Sequence, residues 1–205
     1  ELKSLATKVD TEATVFFHSR QCCNPHPGIR FIMNKFKLAD AKKDKFDYVP
    51  GDFHQHSLYT DGGRPFFEIM RQNDIYGLGW WANSEHGGER NRDGNGDYWD
   101  EPAVYPVNPI LGDVEYSGGH QEMWRWQSLR DYVWPDIRAT RDLYQDKIII
   151  SGLEWNVPGH EHCSTGIVAE DNAAISAFEY QFDASDEDYS RTESGELDKQ
   201  NGYKD

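Results

Sequence analysis

The residues best suited to chemistry lie in one short segment, 51–62. His54 and His56 are two positions apart, and Asp61 follows soon after. In a β-strand, alternate side chains share a face, so we expect Asp52, His54 and His56 to project together. The turn-forming residues 60–63 can then bring the Asp61 carboxylate to the same edge. The pattern predicts metal ligation by His54, His56 and Asp61, with a solvent-facing histidine pair as the alternative.

Two further clusters follow runs that are typical of strands. His86 comes after the apolar, aromatic run 75–82, and Glu154 ends the β-branched run 147–153. Such short apolar runs indicate buried parallel strands. An unpaired carboxylate at the end of a buried strand would be unfavourable, which favours a cation beside Glu154. The carboxyl ends of parallel barrel strands meet at one face, so we expect these groups to join the first histidines.

A polar loop after Glu154 contains two more candidate ligands. His160 and His162 flank Glu161. The sequence does not decide which of the two histidines binds metal. The other could face solvent, or it could contact a metal ligand without binding the metal itself. Cys163 is a possible soft ligand, although a small buried apolar residue is more usual.

The order of these blocks resembles the PHP superfamily, named for its polymerase and histidinol-phosphatase members. The family's first motif, Asp-x-His-x-His-Ser followed by Ser/Thr-Asp-Gly, is similar to residues 52–62. Its second motif, usually Thr-Asp-His, is similar to Ser84-Glu85-His86, and its third, Gly-x-Glu with a later His, to Gly152-Leu153-Glu154 with His160 or His162. The resemblance covers roughly residues 46–168, and the family's fourth motif, Asp-x-His, has no counterpart.

The resemblance implies an α/β fold, a distorted (β/α)7 TIM-like barrel that is incomplete in this chain. It also implies a metal-dependent hydrolase with two or three divalent ions, and Glu154 and His86 as the catalytic residues. The implied ligands are His54, His56, Asp61, His86, Glu154, His160 and His162. By the same resemblance the substrate is a small-molecule phosphate ester. Carboxylic or carbamic ester hydrolysis is an alternative, as is a degenerate barrel that only binds a ligand.

The expected chemistry follows from the ligand types. Imidazole and carboxylate together suit Zn, Mn or Fe, and the sequence does not choose among them. A Glu154 carboxylate can bridge two such ions through its two oxygens. Bound divalent ions lower the pKa of water, so the expected nucleophile is a metal-bound hydroxide.

Composition excludes some other functions. The chain has 205 residues and a formal net charge of −15, which disfavours binding to the nucleic-acid backbone. No apolar run is long enough to predict a membrane span. Its three cysteines, with Cys22 and Cys23 adjacent, indicate no disulfide framework. They identify no compartment, and the oligomeric state is likewise not indicated.

The chain divides into a lead-in, 1–45, with a strand candidate at 13–17, and a catalytic domain, 46–205. Residues 64–74 are predicted to form a crossover helix. The polar segment 87–119 is interpreted as an insertion, with a lid over the site as one possibility, because it is too long for an ordinary connection.

The remainder of the chain gives three expectations. Residues 121–145 are predicted to form a long helix that Pro135 kinks or breaks. The acidic stretch from residue 170 onward is expected to lie on the surface. Since the fourth motif is missing, we expect the chain to be a fragment of a longer protein whose remainder closes the barrel.

Overall fold

A computed structural model describes residues 48–167, 170–190 and 199. The expected lead-in 1–45, with its strand candidate at 13–17 and with Cys22 and Cys23, lies outside the described residues. In the part that is described, no helix combines the length and apolar character needed to cross a membrane.

Strands and helices are mixed along the described chain. In order they are β1 (Gly51–Gln55), α1 (Phe66–Ile75), β2 (Trp80–Asn83), β3 (Glu89–Arg90), β4 (Glu115–Ser117), β5 (His120–Trp124), α2 (Arg125–Ser128), a π-helical segment (Leu129–Val133), α3 (Trp134–Leu143), β6 (Ile148–Asn156), β7 (His162–Ile167) and α4 (Ala173–Phe182).

The central sheet has four strands in the order β1-β2-β6-β7 and is curled like half of a barrel. The strands β1, β2 and β6 are parallel, and β7 returns antiparallel to β6. The strand expected to carry His54 and His56 and the strands predicted at 75–82 and 147–153 are therefore confirmed, although β2 begins only at Trp80. The mixed α/β class is confirmed, whereas a closed barrel is not formed by the described residues and stays a prediction.

Helix α1 connects the parallel strands β1 and β2 and confirms the predicted crossover helix. Pro65 precedes it, where a missing N–H costs nothing because the first helical N–H groups have no intrahelical acceptor. Phe66 and Met70, one turn apart, are buried on the same face. The Met70 sulfur accepts a hydrogen bond from the Trp81 indole at 3.0 Å, which ties the helix to β2.

Segment 87–119 is more ordered than a surface insertion would require. Its strands β3 and β4 pair antiparallel with β5 in a second sheet of order β3-β5-β4. Trp99 is fully buried in the main core, where it packs against Tyr105 and Tyr132. The segment thus contributes to the core, and its role as a lid stays a prediction.

The prediction of a long helix at 121–145 is wrong for its first residues and confirmed over most of its length. Residues 121–124 belong to β5, and helical structure runs only from Arg125 to Leu143. Proline lacks the N–H that would bond four residues back and its ring crowds that carbonyl. Pro135 lies in the first turn of α3, and the π-helical segment directly precedes that helix, so the helical structure continues without a break.

Four of the described acidic residues from 170 onward do not lie on the surface, so the expectation is wrong for them, whereas Glu170, Asp171 and Glu187 are exposed. Glu179, Asp183, Asp186 and Asp188 are all fully buried. Each has defined partners: Glu179 accepts from the Gly88 N–H at 2.9 Å, Asp183 accepts from the Asn156 N–H at 2.9 Å, and Asp186 pairs with Lys199. The Asp188 carboxylate accepts from the Trp126 indole at 2.8 Å and from the Asp113 N–H at 3.1 Å. These side chains fasten the C-terminal segment to the body of the fold.

We expect Asp188→Ala to lower the free energy of unfolding by about 2–4 kcal/mol, because it leaves the buried Trp126 indole N–H without its acceptor. The neighbouring Glu187→Ala, at an exposed position, is the matched control and should change that free energy by less than about 0.5 kcal/mol. Urea unfolding of both variants measures the difference. Equal, small effects would support the surface location that the sequence suggested.

Candidate metal centre

Strand β1 delivers the first two histidines at its carboxyl end. Its register with β2 shifts between Asp52 and Gln55, so the strand does not alternate regularly there. The Asp52 carboxylate accepts hydrogen bonds from the His54 N–H at 3.0 Å and from the Gln55 amide at 3.2 Å. Asp52 is therefore bound to its own strand, whereas His54 and His56 meet with their Nε2 atoms 2.8 Å apart.

Main-chain hydrogen bonds place His86 beside Glu154. The Glu154 N–H donates to the Glu85 carbonyl at 2.8 Å, and the Gly87 N–H donates to the Glu154 carbonyl at 3.2 Å. These bonds extend the β2–β6 pairing past the end of β2 as a parallel bridge between His86 and Glu154. The expected meeting of strand ends at one face of the sheet is thus confirmed.

Glu85 organises the turn that carries Asp61, a role that sequence reasoning missed. Its buried carboxylate accepts from the Ser57 N–H at 2.8 Å, from the Ser57 hydroxyl at 2.5 Å and from the Thr60 hydroxyl. The wholly buried Arg125 guanidinium donates to the Tyr59 carbonyl in the same turn at 2.6 Å. Burial lowers the pKa of Arg125 to about 10, with the Glu85 charge as the first opposing influence.

Glu154 lies at the centre of the site, with a side chain only 5% exposed. Its Oε1 is 3.3 Å from His54 Nε2 and 3.7 Å from His162 Nδ1. Its Oε2 is 3.2 Å from both His56 Nε2 and His86 Nδ1. Each carboxylate oxygen therefore faces its own pair of imidazoles.

Asp61 completes the site on its solvent side. Its oxygens lie 3.0 Å from His56 Nδ1 and 3.3 Å from His86 Nε2, and its side chain is 63% exposed. Asp61 thus lies beside His86, and His56 belongs to the same group instead of standing apart with His54 alone. The Glu154 side of the site is thus buried, and the Asp61 side faces solvent, from which a small molecule can enter.

Of the two histidines that the sequence left undecided, His162 belongs to the site. It contacts Glu154 as described, and its ring centroid is 4.9 Å from that of His86. His160 lies in the exposed turn before β7 and is in none of the ligand groups formed by the described residues.

Three overlapping groups of the described residues could hold a metal ion. They are His54 with His56 and Glu154, His56 with Asp61 and His86, and His86 with Glu154 and His162. Within each group the ligand atoms lie within 4.8 Å of one another.

The spacing and bonding of these atoms fit metal ligands. Ligands held about 2.1 Å from one ion lie roughly 3.0–3.4 Å from each other, close to the nitrogen–nitrogen and nitrogen–oxygen distances described above. His56 Nδ1 is buried and makes no aligned hydrogen bond to any described residue, although Asp61 is 3.0 Å away. A cation in the group of His56, Asp61 and His86 would satisfy both atoms, but a neutral imidazole has one lone pair, so His56 would bind an ion through Nδ1 or through Nε2 and not through both.

Burial and charge set the protonation of the site. Burial lowers the pKa of His56, but the carboxylates of Glu154, Glu85 and Asp61 outweigh it and leave that pKa raised. At His86, burial prevails over the carboxylates and the pKa is lowered. Burial raises the pKa of Glu154, yet the surrounding histidines bring it below its ordinary value. The Glu154 carboxylate is thus ready to bind a cation, and His56 retains its proton to a higher pH than an ordinary histidine.

The chain matches no protein-family model and no curated protein. Any proposal about function therefore rests on the geometry of the side chains and on the motif resemblance.

Zinc affinity should distinguish the two histidines of the 160–162 turn. We expect His162→Ala to weaken binding at one site by about tenfold or more, because it removes a ligand atom from the group with His86 and Glu154. His160→Ala, two residues away and exposed, is the matched control and should leave affinity unchanged. Competition titration with a chromogenic zinc indicator measures both, and the reverse ranking would refute the placement of His162.

Metal affinity should also depend on pH. Only a neutral imidazole binds metal, so protons compete with the ion. As the pH is lowered, the metal affinity should begin to fall before the pH reaches the ordinary histidine pKa, because the pKa of His56 is raised. At lower pH the affinity should decrease by up to about tenfold per pH unit. Zinc titrations between pH 8 and pH 5.5 test this, and a constant affinity over that range would contradict it.

Proposed function

We propose that this protein is a metal-dependent hydrolase of the PHP type, acting on phosphate esters. The observation that carries the proposal is the convergence of four imidazoles on the two oxygens of the buried Glu154, with Asp61 at the open side. A purely structural ion pair would not need four partners for one carboxylate.

The arrangement suits two or more ions better than one. The group of His54 and His56 and the group of His86 and His162 both include Glu154, so its carboxylate would be shared between two ions. Zn, Mn and Fe all accept such mixed imidazole and carboxylate ligands. When bound, a divalent pair supplies Lewis-acid stabilisation of charge on the reacting oxygens and activates water for attack.

The chain's own residues would orient and confine this chemistry. Glu154 and the strand-borne histidines are held by main-chain hydrogen bonds, so their positions need little adjustment on binding. Asp61 and His162 border the exposed side, with side chains 63% and 43% exposed, and are the residues that an entering substrate meets first.

The motif resemblance supports the phosphate-ester substrate class, and it also supports the proposal of a closed barrel. The parallel β1, β2 and β6, with ligands at their carboxyl ends, are the part of the described fold that agrees with such a barrel.

Glu154→Gln should remove at least one equivalent of bound metal and reduce turnover on the order of 10³-fold, since a bound ion supplies several kcal/mol of transition-state stabilisation. Glu161→Gln makes the same change at an exposed position and should leave the metal content and the turnover unchanged. Metal analysis and assays with p-nitrophenyl phosphate, bis(p-nitrophenyl) phosphate and p-nitrophenyl acetate, with Zn, Mn or Fe added, provide the measurements.

The outcomes of this assay separate the alternatives. Metal with phosphoester turnover supports the proposal, and metal with carboxylester turnover alone contradicts the substrate class. Stoichiometric metal in Glu154→Gln contradicts the bridging role. If the wild-type chain binds no metal and turns over nothing, the result supports the alternative of a degenerate barrel that only binds a ligand.

A further inference from the structure

Ser164 lies beside the site in a position that no sequence motif indicated. It is on β7, directly opposite Glu154 in the β6–β7 pairing, and only 3% exposed. Its Oγ is 2.6 Å from His54 Nδ1, while His54 Nε2 faces Glu154 and His56. One ring nitrogen of His54 thus faces the serine, and the other faces the ligand group.

We infer that Ser164 is a positioning residue, which accepts a hydrogen bond from His54 Nδ1–H and thereby presents the Nε2 lone pair to the metal. This inference rests on the proposed function. A neutral imidazole carries one proton, and the partner of one nitrogen decides whether the other can act as a ligand. Without Ser164, Glu154 would favour the opposite tautomer, with the proton on Nε2.

Two observations argue against a nucleophilic role for the same serine. Ser164, His54 and Glu154 have the residue types of a hydrolase triad, but the burial of Ser164 keeps its hydroxyl from a substrate. The imidazole is also reversed. In a triad Nε2 faces the serine and Nδ1 faces the acid, whereas here Nδ1 faces Ser164 and Nε2 faces Glu154.

The neighbouring Thr165 provides a matched control. Its hydroxyl is also buried on β7, but it has no hydrogen-bond partner among the described residues. Thr165→Val therefore removes a buried hydroxyl from the same strand without touching His54. A general effect of altering β7 would appear in both variants, and an effect through His54 only in Ser164→Ala.

The test uses Zn²⁺ alone as the probe of the full chain. Ser164→Ala should weaken zinc binding about 10–100-fold, as loss of a partner that orients a metal-bound histidine typically does. Ser164→Thr keeps the hydroxyl and should restore affinity to within about threefold, and Thr165→Val should match wild type. Unchanged affinity in Ser164→Ala, or an equal loss in Thr165→Val, would overturn the inference.

A second readout is independent of metal affinity and of how well the variants fold. Long-range ¹H–¹⁵N NMR of the metal-free wild-type protein at pH 8 should show His54 protonated on Nδ1, and a proton on Nε2 would overturn the inference. If wild type shows the Nδ1–H form yet binds no zinc, the proposed function fails while the bond to Ser164 stands. Tight zinc binding by Ser164→Ala leaves the proposed function intact and refutes only the positioning role.

Discussion

The site depends on one constraint, the burial of the Glu154 carboxylate within β6. A buried charge is tolerated only with compensating partners, and this one has four imidazoles within 3.7 Å. Those imidazoles repel one another when protonated and have their lone pairs crowded together when neutral. A divalent cation among them would resolve both difficulties, because it would neutralise Glu154 and accept the imidazole lone pairs. The same constraint explains why His56 has a raised pKa and Glu154 a lowered one.

The surrounding fold keeps this crowded arrangement in place. Parallel pairing of β1, β2 and β6 brings ligands from distant parts of the chain to one edge, and the turn bearing Asp61 is fixed by the buried Glu85. Asp183 accepts hydrogen bonds from Asn156 and packs against Gly87. A side-chain carbon at position 87 would lie 1.8 Å from a carboxylate oxygen of Asp183. Gly87 therefore permits the C-terminal segment to approach the main-chain segment that positions His86.

The parts of the site that the sequence predicted correctly depend on local patterns. Apolar runs marked β2 and β6, and the polar residues at their ends identified His86 and Glu154, since parallel strands must align their carboxyl ends. The roles of Glu85 and Ser164 depend on partners elsewhere in the chain, which no local pattern indicates. The buried acids were misassigned for the same reason: Asp188 is satisfied by Trp126, 62 residues away, so its charge alone wrongly suggested the surface. The strand at 120–124 was missed because its pairing with β3 and β4 outweighs its helix-like composition.

The most direct test of the account is anomalous diffraction at the zinc edge from crystals of the protein grown with Zn²⁺. The account predicts an anomalous peak at bonding distance, about 2.0–2.2 Å, from Nε2 of His54, Nε2 of His56 and an oxygen of Glu154. A second peak is expected beside His86, on the other side of the carboxylate. A map with zinc elsewhere, or with these side chains bonded only to one another, would contradict the central claim that the cluster is a metal centre.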